Sequence, residues 1–227
     1  MTHIKNNLAQ VNAQIAQACQ HAHRSIDDVS LLAVSKTKPV SMIEQAYQAG
    51  QRMFGESYIQ EAVEKIEQLS HLSDIHWHFI GPIQSNKTRH IAQLFSWVHS
   101  VDRAKIITRL NEQRGDQDTA LNICLQVNIS EEDSKSGIKV NELAELAQLT
   151  NDSPNLTLRG IMAIPKKNDG IKSFAKMQQL FHQLQAQYPS VDTLSMGMSS
   201  DMVEAISYGS TIVRVGTAIF GQRETTG

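Results

Sequence analysis

The residue with the clearest chemical potential is Lys36, which closely follows a short apolar run. Leu31-Leu32-Ala33-Val34 has the composition of a buried strand, and Pro39 stops that strand because proline cannot donate to a β-ladder. Lys36 is therefore expected at the carboxyl end of a buried strand. Desolvation disfavours the charged form of an amine, and an unprotonated lysine can attack an aldehyde to give a Schiff base. The spacing alone leaves two alternatives open: Lys36 is simply solvated, or its neighbour Lys38 points inward instead.

Two segments near the carboxyl terminus have the composition of an anion site. Residues 194–201 place a glycine and two adjacent serines between a predicted strand and a predicted helix, and residues 214–217 end the last strand with a glycine and a threonine. Backbone N–H groups at a helix start bind anions, and glycine allows close approach. The alternative is that Ser199 only caps its helix. Together with Lys36, these segments predict a site for a phosphorylated aldehyde.

Eight short apolar segments alternate with segments of helical periodicity, a pattern typical of a parallel sheet. Eight such units in about 200 residues predict a closed (β/α)8 TIM barrel, in which the loops after strands seven and eight commonly bind phosphate. An open doubly wound sheet is the alternative, because periodicity does not show closure. The predicted strands cover residues 31–34, 52–54, 75–80, 97–100, 121–128, 156–161, 193–195 and 211–215.

The amino-terminal segment predicts a helix over residues 3–23 that covers the barrel, because too little chain follows the last strand for a full helix there. Its apolar face repeats every third or fourth residue and consists of Ile4, Leu8, Val11, Ile15 and Cys19. Ser41, Asp102 and Ser199 are the predicted N-caps of three later helices. No linker interrupts the pattern, so residues 1–227 are predicted to form a single domain.

Composition excludes several classes of function. Lysine and arginine number 21 and aspartate and glutamate 23, so the formal charge of −2 favours neither nucleic acid nor an anionic membrane as a partner. The sequence has no apolar run of signal-peptide or membrane-span length. Its two cysteines, Cys19 and Cys124, have no paired spacing and are predicted to be core thiols in a reducing compartment. We therefore expect a cytoplasmic protein.

Two other candidates for chemistry have simpler structural explanations. His76 and His78 are two residues apart on a predicted strand and face the same side, but no nearby cysteine or carboxylate completes a metal site. We expect a structural role for them and no metal. Glu56 follows the second strand, where it could act as a general base or cap the next helix.

Seven motifs spread over nearly the whole chain carry a family resemblance. They are Ala33–Pro39, Phe54–Tyr58, Trp77–Lys87, Ser134–Gly137, Arg159–Pro165, Ser195–Ser199 and Arg214–Gly221. Through them the chain resembles the pyridoxal phosphate homeostasis family, which are single-barrel proteins that bind pyridoxal 5'-phosphate (PLP). The resemblance implies a PLP fold type III barrel like the amino-terminal domain of alanine racemase.

The resemblance also implies the cofactor-binding residues. PLP would be held as a Schiff base on Lys36, and Arg214 would reach either its phosphate or its ring nitrogen. The residues implied to lie against the phosphate are Ser195, Ser199, Gly216 and Thr217. The chain departs from the family at Ser57, usually asparagine, and at Ser200, usually acidic, so the resemblance implies no cofactor contact at these two positions.

The function implied is PLP binding in intracellular PLP homeostasis, with an indirect effect on amino-acid and keto-acid metabolism. Related enzymes add a β-rich domain that helps to build a dimeric active site, and we expect no such domain here because the given chain ends at Gly227. We therefore expect a non-catalytic, monomeric carrier or regulator with no catalytic residues, whose partners are PLP and PLP-dependent apo-enzymes. The alternatives are a weak PLP-dependent racemase and a barrel isomerase that uses Lys36 as a catalytic amine on a phosphorylated substrate.

Overall fold

The computed structural model of the chain describes residues 3–115, 117–132, 136–166 and 170–222. Ser134 and Lys135, which belong to one of the family motifs, lie outside these residues. Asp169, at the predicted start of a helix, lies outside them as well.

Eight parallel strands form a closed barrel in sequence order. Strand β1 pairs with β8, so that Leu32 lies opposite Arg214 and Ala33 opposite Val215, and this pairing closes the sheet. The predicted (β/α)8 barrel is confirmed, and the open sheet is wrong. The strands are β1 Ser30–Val34, β2 Met53–Glu56, β3 His76–Phe79, β4 Trp97–Val101, β5 Leu121–Gln126, β6 Leu156–Met162, β7 Thr193–Ser195 and β8 Ile212–Val215.

Helices surround the barrel. They are α1 His3–His21, α2 Val40–Gln48, α3 Ile59–Gln68, α4 Thr88–Leu94, α5 Ala104–Arg114, α6 Leu143–Asn151, α7 Gly170–Gln187, α8 Met202–Ser207 and α9 Thr217–Phe220. The predicted apolar face of α1 is buried. Asn7 on α1 donates a hydrogen bond to the carbonyl of Ile219 over 2.8 Å. Helix α1 therefore packs beside the last strand, where α9 has a single turn, and the predicted cover is confirmed.

The predicted N-caps at Ser41 and Asp102 are wrong. Helix α2 begins at Val40 directly after Pro39, so Ser41 lies inside its first turn. The N-cap is Pro39, whose side chain has no acceptor for a capping hydrogen bond, and its carbonyl accepts from the N–H of Met42 over 3.0 Å. Helix α5 begins at Ala104, and the carboxylate of Asp102 pairs instead with the guanidinium of Arg103 at 2.6 Å.

The interior of the barrel is identified by a hydrogen bond between strands that are not neighbours. His99 on β4 and Ser195 on β7 are joined at 2.8 Å, so both side chains lie inside the barrel. Side chains alternate along a strand, so the other face of each strand packs against the helices. Cys19 and Cys124 are both buried and unpaired, as predicted. Within the described part of the chain, no helix has the length and apolar character needed to cross a bilayer.

Candidate functional site

Lys36 lies in the turn directly after β1. The N–H of Lys38 donates to the carbonyl of Ser35 over 3.0 Å and closes this turn. The Lys36 side chain is half-buried, and its amine has no hydrogen-bond or ion-pair partner among the described residues. Lys38 is buried, and its amine donates to the carbonyl of Gln222 over 2.7 Å. Of the two lysines considered from the sequence, Lys36 therefore has the free amine.

The pairing of β1 with β8 places the last predicted anion segment beside Lys36. Ala33 lies opposite Val215, so Gly216 and Thr217 follow β8 at the same end of the barrel. A Cβ atom on Gly216 would lie 3.1 Å from the carbonyl oxygen of Val34, closer than most real contacts of this kind. Glycine is what lets the two strand ends approach this closely.

Unpaired backbone donors line this part of the rim. The N–H groups of Ser199, Ser200, Gly216 and Thr217 have no acceptor among the described residues. Unpaired N–H groups at helix starts and in glycine-containing loops suit an anion. They are therefore candidate donors to a phosphate group, and the phosphate contacts predicted for these segments remain a prediction.

The loop before α8 is shaped by a glycine and an aspartate. Gly197 has φ +94°, and a Cβ there would lie 2.6 Å from Cβ of Ala205, so only glycine fits without a shift. The carboxylate of Asp201 accepts a hydrogen bond from the N–H of Met198 over 2.6 Å. Helix α8 begins at Met202 after Asp201, so the predicted capping role of Ser199 is wrong. The Ser199 side chain is instead exposed in the loop.

Arg214 lies inside the barrel, below this rim. Its guanidinium is buried and donates to Ser195 Oγ over 2.7 Å and to the carbonyl of Ala163 over 3.0 Å. Burial lowers the pKa of Arg214 to about 10, so it remains charged at neutral pH. These two acceptors hold the Arg214 cation in place inside the barrel, below the rim.

The hydrogen bonds continue from Ser195 to His99 and His78, whose contact was not predicted from the sequence. Ser195 Oγ lies 2.8 Å from His99 Nδ1, and His99 Nε2 lies 2.8 Å from His78 Nδ1. Burial lowers the pKa of His99 to about 3, and burial also lowers the pKa of His78. Both imidazoles are therefore neutral. No group of three potential metal-ligating side chains occurs in the described residues.

A buried ion pair supports the Lys36 turn from outside the barrel. Glu56 on β2 is fully buried, and its Oε1 accepts from Ser35 Oγ over 2.6 Å and from the Lys65 amine over 2.8 Å. Lys65 also donates to the carbonyl of Ser35 and to Glu61 Oε1. Burial raises the pKa of Glu56, against the attraction of Lys65. Helix α3 begins at Ile59, so Glu56 does not cap it; its carboxylate anchors the turn instead.

The remaining rim holds the two departures from the family. Ser57 is buried, and its backbone packs so closely on Gly81 that a Cβ there would lie 2.0 Å from the Ser57 carbonyl oxygen. Ser200 is exposed beside Ser199. A cavity of about 330 Å³ opens over the ends of β3 and β5, and Gln126 and Asn128 are among its lining residues.

Comparisons with known proteins agree with this architecture. The sequence matches the alanine racemase N-terminal domain family over residues 6–224. It is 53% identical over 228 residues to the pyridoxal phosphate homeostasis protein of Pasteurella multocida, an alignment that covers 97% of this chain and 98% of that protein. The structure aligns with PLP-bound PipY of Synechococcus elongatus with a TM-score of 0.84 and 36% identity, covering 96% of this chain and 100% of that chain. Alanine racemase from Corynebacterium glutamicum aligns with a TM-score of 0.69 at 14% identity, covering 99% of this chain and 62% of that chain, and shares the fold.

Proposed function

Because this chain belongs to the pyridoxal phosphate homeostasis protein family, built on the alanine racemase N-terminal barrel, we propose that it binds PLP at the rim around Lys36. The observation that carries the proposal is the pairing of β1 with β8. It places a free amine on one strand end and unpaired N–H donors on the adjacent one. A phosphorylated aldehyde needs both features within the length of one small molecule.

The proposed contacts follow from this geometry. Lys36 would hold the aldehyde as a Schiff base, with loss of water, and the phosphate would be held by residues of the two loops after β7 and β8, namely Ser199, Gly216 and Thr217. Arg214 is buried below the rim and is proposed to face the ring nitrogen rather than the phosphate. Ser195 is fully buried with its hydroxyl shared between Arg214 and His99, so its proposed role is to position Arg214.

When bound, PLP supplies an aldehyde that condenses reversibly with amines. The chain's own residues hold and orient it. The Lys36 amine has no competing partner within the described residues, so it is available to an incoming aldehyde. Arg214 carries only donors and keeps its charge, so it cannot give a proton readily to the ring. We propose that this arrangement retains the cofactor.

We propose a carrier or regulator of PLP, without catalysis. Glu56, the rim carboxylate considered from the sequence as a base, is buried in an ion pair outside the barrel, which supports this view. PLP-dependent apo-enzymes as recipients, a monomeric state and a cytoplasmic location complete the proposal. The buried, unpaired thiols of Cys19 and Cys124 support a reducing compartment.

The test is an absorption spectrum before and after borohydride, with the modified lysine located by mass spectrometry. We expect a yellow protein whose visible band disappears on reduction and whose label is found on Lys36. Lys36→Ala should lose the band. Lys105→Ala, on the exposed surface of α5, is the matched control and should keep it. Protein that stays colourless after incubation with PLP would refute the proposal. A label on Lys38 would refute Lys36 as the residue that binds the aldehyde.

A further inference from the structure

The residue after Lys36 has an unfavourable backbone conformation. Thr37 has φ +63°, in the left-handed region. A β-branched side chain there is a genuine outlier, and such strain persists only where the surroundings hold it. The Thr37 N–H belongs to the peptide that joins Lys36 to Thr37, so whatever fixes this peptide also limits the conformations open to Lys36.

One side chain holds the strained residue. The N–H of Thr37 donates to Glu61 Oε1 on α3 over 2.6 Å. In a negative-φ conformation the peptide would turn, and this N–H would point elsewhere. Glu61 therefore favours the left-handed state of Thr37, which glycine would adopt at no steric cost.

Glu61 is itself fixed from within the protein. Its Oε1 accepts from the amine of Lys65, one turn later on α3, over 2.5 Å. Lys65 is buried and bound to Glu56 and to the carbonyl of Ser35. The Glu61 carboxylate that holds Thr37 is thus connected to the buried Glu56–Lys65 ion pair. It therefore cannot shift easily if the turn at Thr37 changes conformation.

We propose that Glu61 is a positioning residue for Lys36: by accepting from the Thr37 N–H, it locks the turn in the strained conformation that presents the lysine amine to the cofactor. Lys65 and Glu56 hold Glu61 in place for this task. The inference rests on the proposed function of Lys36, and it extends that function to a residue that does not contact the cofactor.

The first measurement needs no PLP. In the wild-type protein, hydrogen exchange followed by NMR should show the Thr37 amide protected, although it lies in an exposed turn. Glu61→Ala should remove this protection, and Glu61→Gln should keep most of it because its amide oxygen still accepts. Equal protection in wild type and Glu61→Ala would overturn the proposal.

The second measurement is the PLP dissociation constant by absorbance. Glu61→Ala should weaken PLP about tenfold, which corresponds to loss of the turn conformation at a cost near that of one strained residue. Glu61→Gln should stay within about threefold of wild type. A Glu61→Gln variant as weak as Glu61→Ala would show that the carboxylate charge matters and not the acceptor, and would overturn the assignment.

A glycine at position 37 provides the decisive control. Thr37→Gly removes the cost of the left-handed conformation, so adding Glu61→Ala to it should change PLP affinity less than about threefold. A full tenfold loss in this background would contradict the proposal, and it would point to general damage of α3. If the wild-type protein retains no PLP, the proposed function fails; the amide exchange of Thr37 still decides whether Glu61 holds the turn.

Discussion

His99 Nδ1 lies 2.8 Å from Ser195 Oγ, although 96 residues separate them in the sequence. This hydrogen bond crosses the barrel from β4 to β7 and continues to Arg214 on one side and to His78 on the other. Arginine has only donors, so Ser195 accepts from Arg214 and can give its own hydrogen to His99. A charged His99 would oppose the Arg214 cation, which is why the interior needs neutral imidazoles.

Stability should therefore fall in mild acid. Burial lowers the pKa of His99 to about 3 from its usual value of 6.5, so the unfolded chain binds this proton first as the pH falls. The stabilising contribution is complete above pH 6.5 and is lost progressively between pH 6.5 and about 3. Each such histidine contributes a slope of about 1.4 kcal/mol per pH unit within that window. Urea unfolding at pH 7.5, 6.5 and 5.5 measures the effect.

The control for this prediction is the difference in slope between variants. His99→Gln should lower the free energy of unfolding at neutral pH, yet flatten its fall with pH. His182→Gln, on the exposed side of α7, should leave the slope unchanged. A His99→Gln protein with the wild-type slope would contradict a neutral, buried His99.

Much of the fold follows from local pattern. The alternation of apolar runs with helical periodicity is a property of each segment, and it predicted eight strands and the covering helix α1. The N-caps at Ser41 and Asp102 were wrong because capping depends on where the chain enters the helix, which Pro39 and the Arg103 ion pair decide. Element type is therefore readable from the sequence, whereas helix starts depend on neighbours.

The site was predictable only in part, because some of its contacts join segments that are distant in the sequence. Lys36 and Gly216 stand at strand ends, so topology alone brings them together. The Glu56–Lys65 pair joins a strand to a helix, and the His99–Ser195 contact joins two distant strands. The sequence separation of the residues in these pairs therefore predicts neither contact. The left-handed φ of Thr37 could not be predicted from the sequence, because threonine rarely adopts this conformation.

Removing the cation of the buried ion pair should destabilise the protein strongly. Lys65→Met leaves the Glu56 carboxylate buried without its partner, and breaking such a pair costs about 3–5 kcal/mol. Loss of Lys65 removes an attraction that lowers the pKa of Glu56, so the carboxyl should bind a proton more readily. The deficit relative to wild type should therefore be smaller at pH 5 than at pH 8. Thermal and urea unfolding at both pH values test this.

An exposed pair gives the comparison. Arg52 and Asp74 approach to 2.6 Å, but 37% and 55% of their side chains are exposed. Solvent screens such pairs, so Asp74→Asn should change stability little. Equal losses from Lys65→Met and Asp74→Asn would contradict the importance of burial.

Gly197 should not tolerate a side chain. Gly197→Ala combines φ +94° with a Cβ 2.6 Å from that of Ala205, whereas Gly50→Ala combines φ +100° with no atom within 4 Å. Both variants bear the backbone strain, and only the first has the clash. Overpacking costs about 1–3 kcal/mol, so Gly197→Ala should be less stable than Gly50→Ala by roughly that amount. Comparable unfolding midpoints for the two variants would show that the loop before α8 adjusts freely.

The two rim hydroxyls should contribute to PLP retention. Ser199→Ala and Thr217→Ala each remove a donor that a phosphate oxygen can accept from, and a hydrogen bond to a charged group contributes about 1.5–3 kcal/mol. Each substitution should weaken PLP about tenfold in an absorbance titration, because the backbone N–H donors remain. Ser207→Ala removes a hydroxyl that only donates to the Glu204 carbonyl, and it should have no effect. Unchanged affinity for Ser199→Ala and Thr217→Ala would remove these side chains from the phosphate site.

The loaded protein should not racemise amino acids. Racemisation requires proton-transfer groups on both faces of the substrate carbon. Lys36 can serve one face. Glu56 is the strand carboxylate nearest to Lys36 in the sequence, but it faces outward from the barrel and is held by Lys65 and Ser35. Incubation of PLP-loaded protein with single L-amino acids, followed by chiral chromatography, should therefore show no sustained formation of the D-form. A Lys36→Ala preparation gives the background rate from free PLP. Turnover above that background would reject the carrier and establish an enzyme on the same barrel.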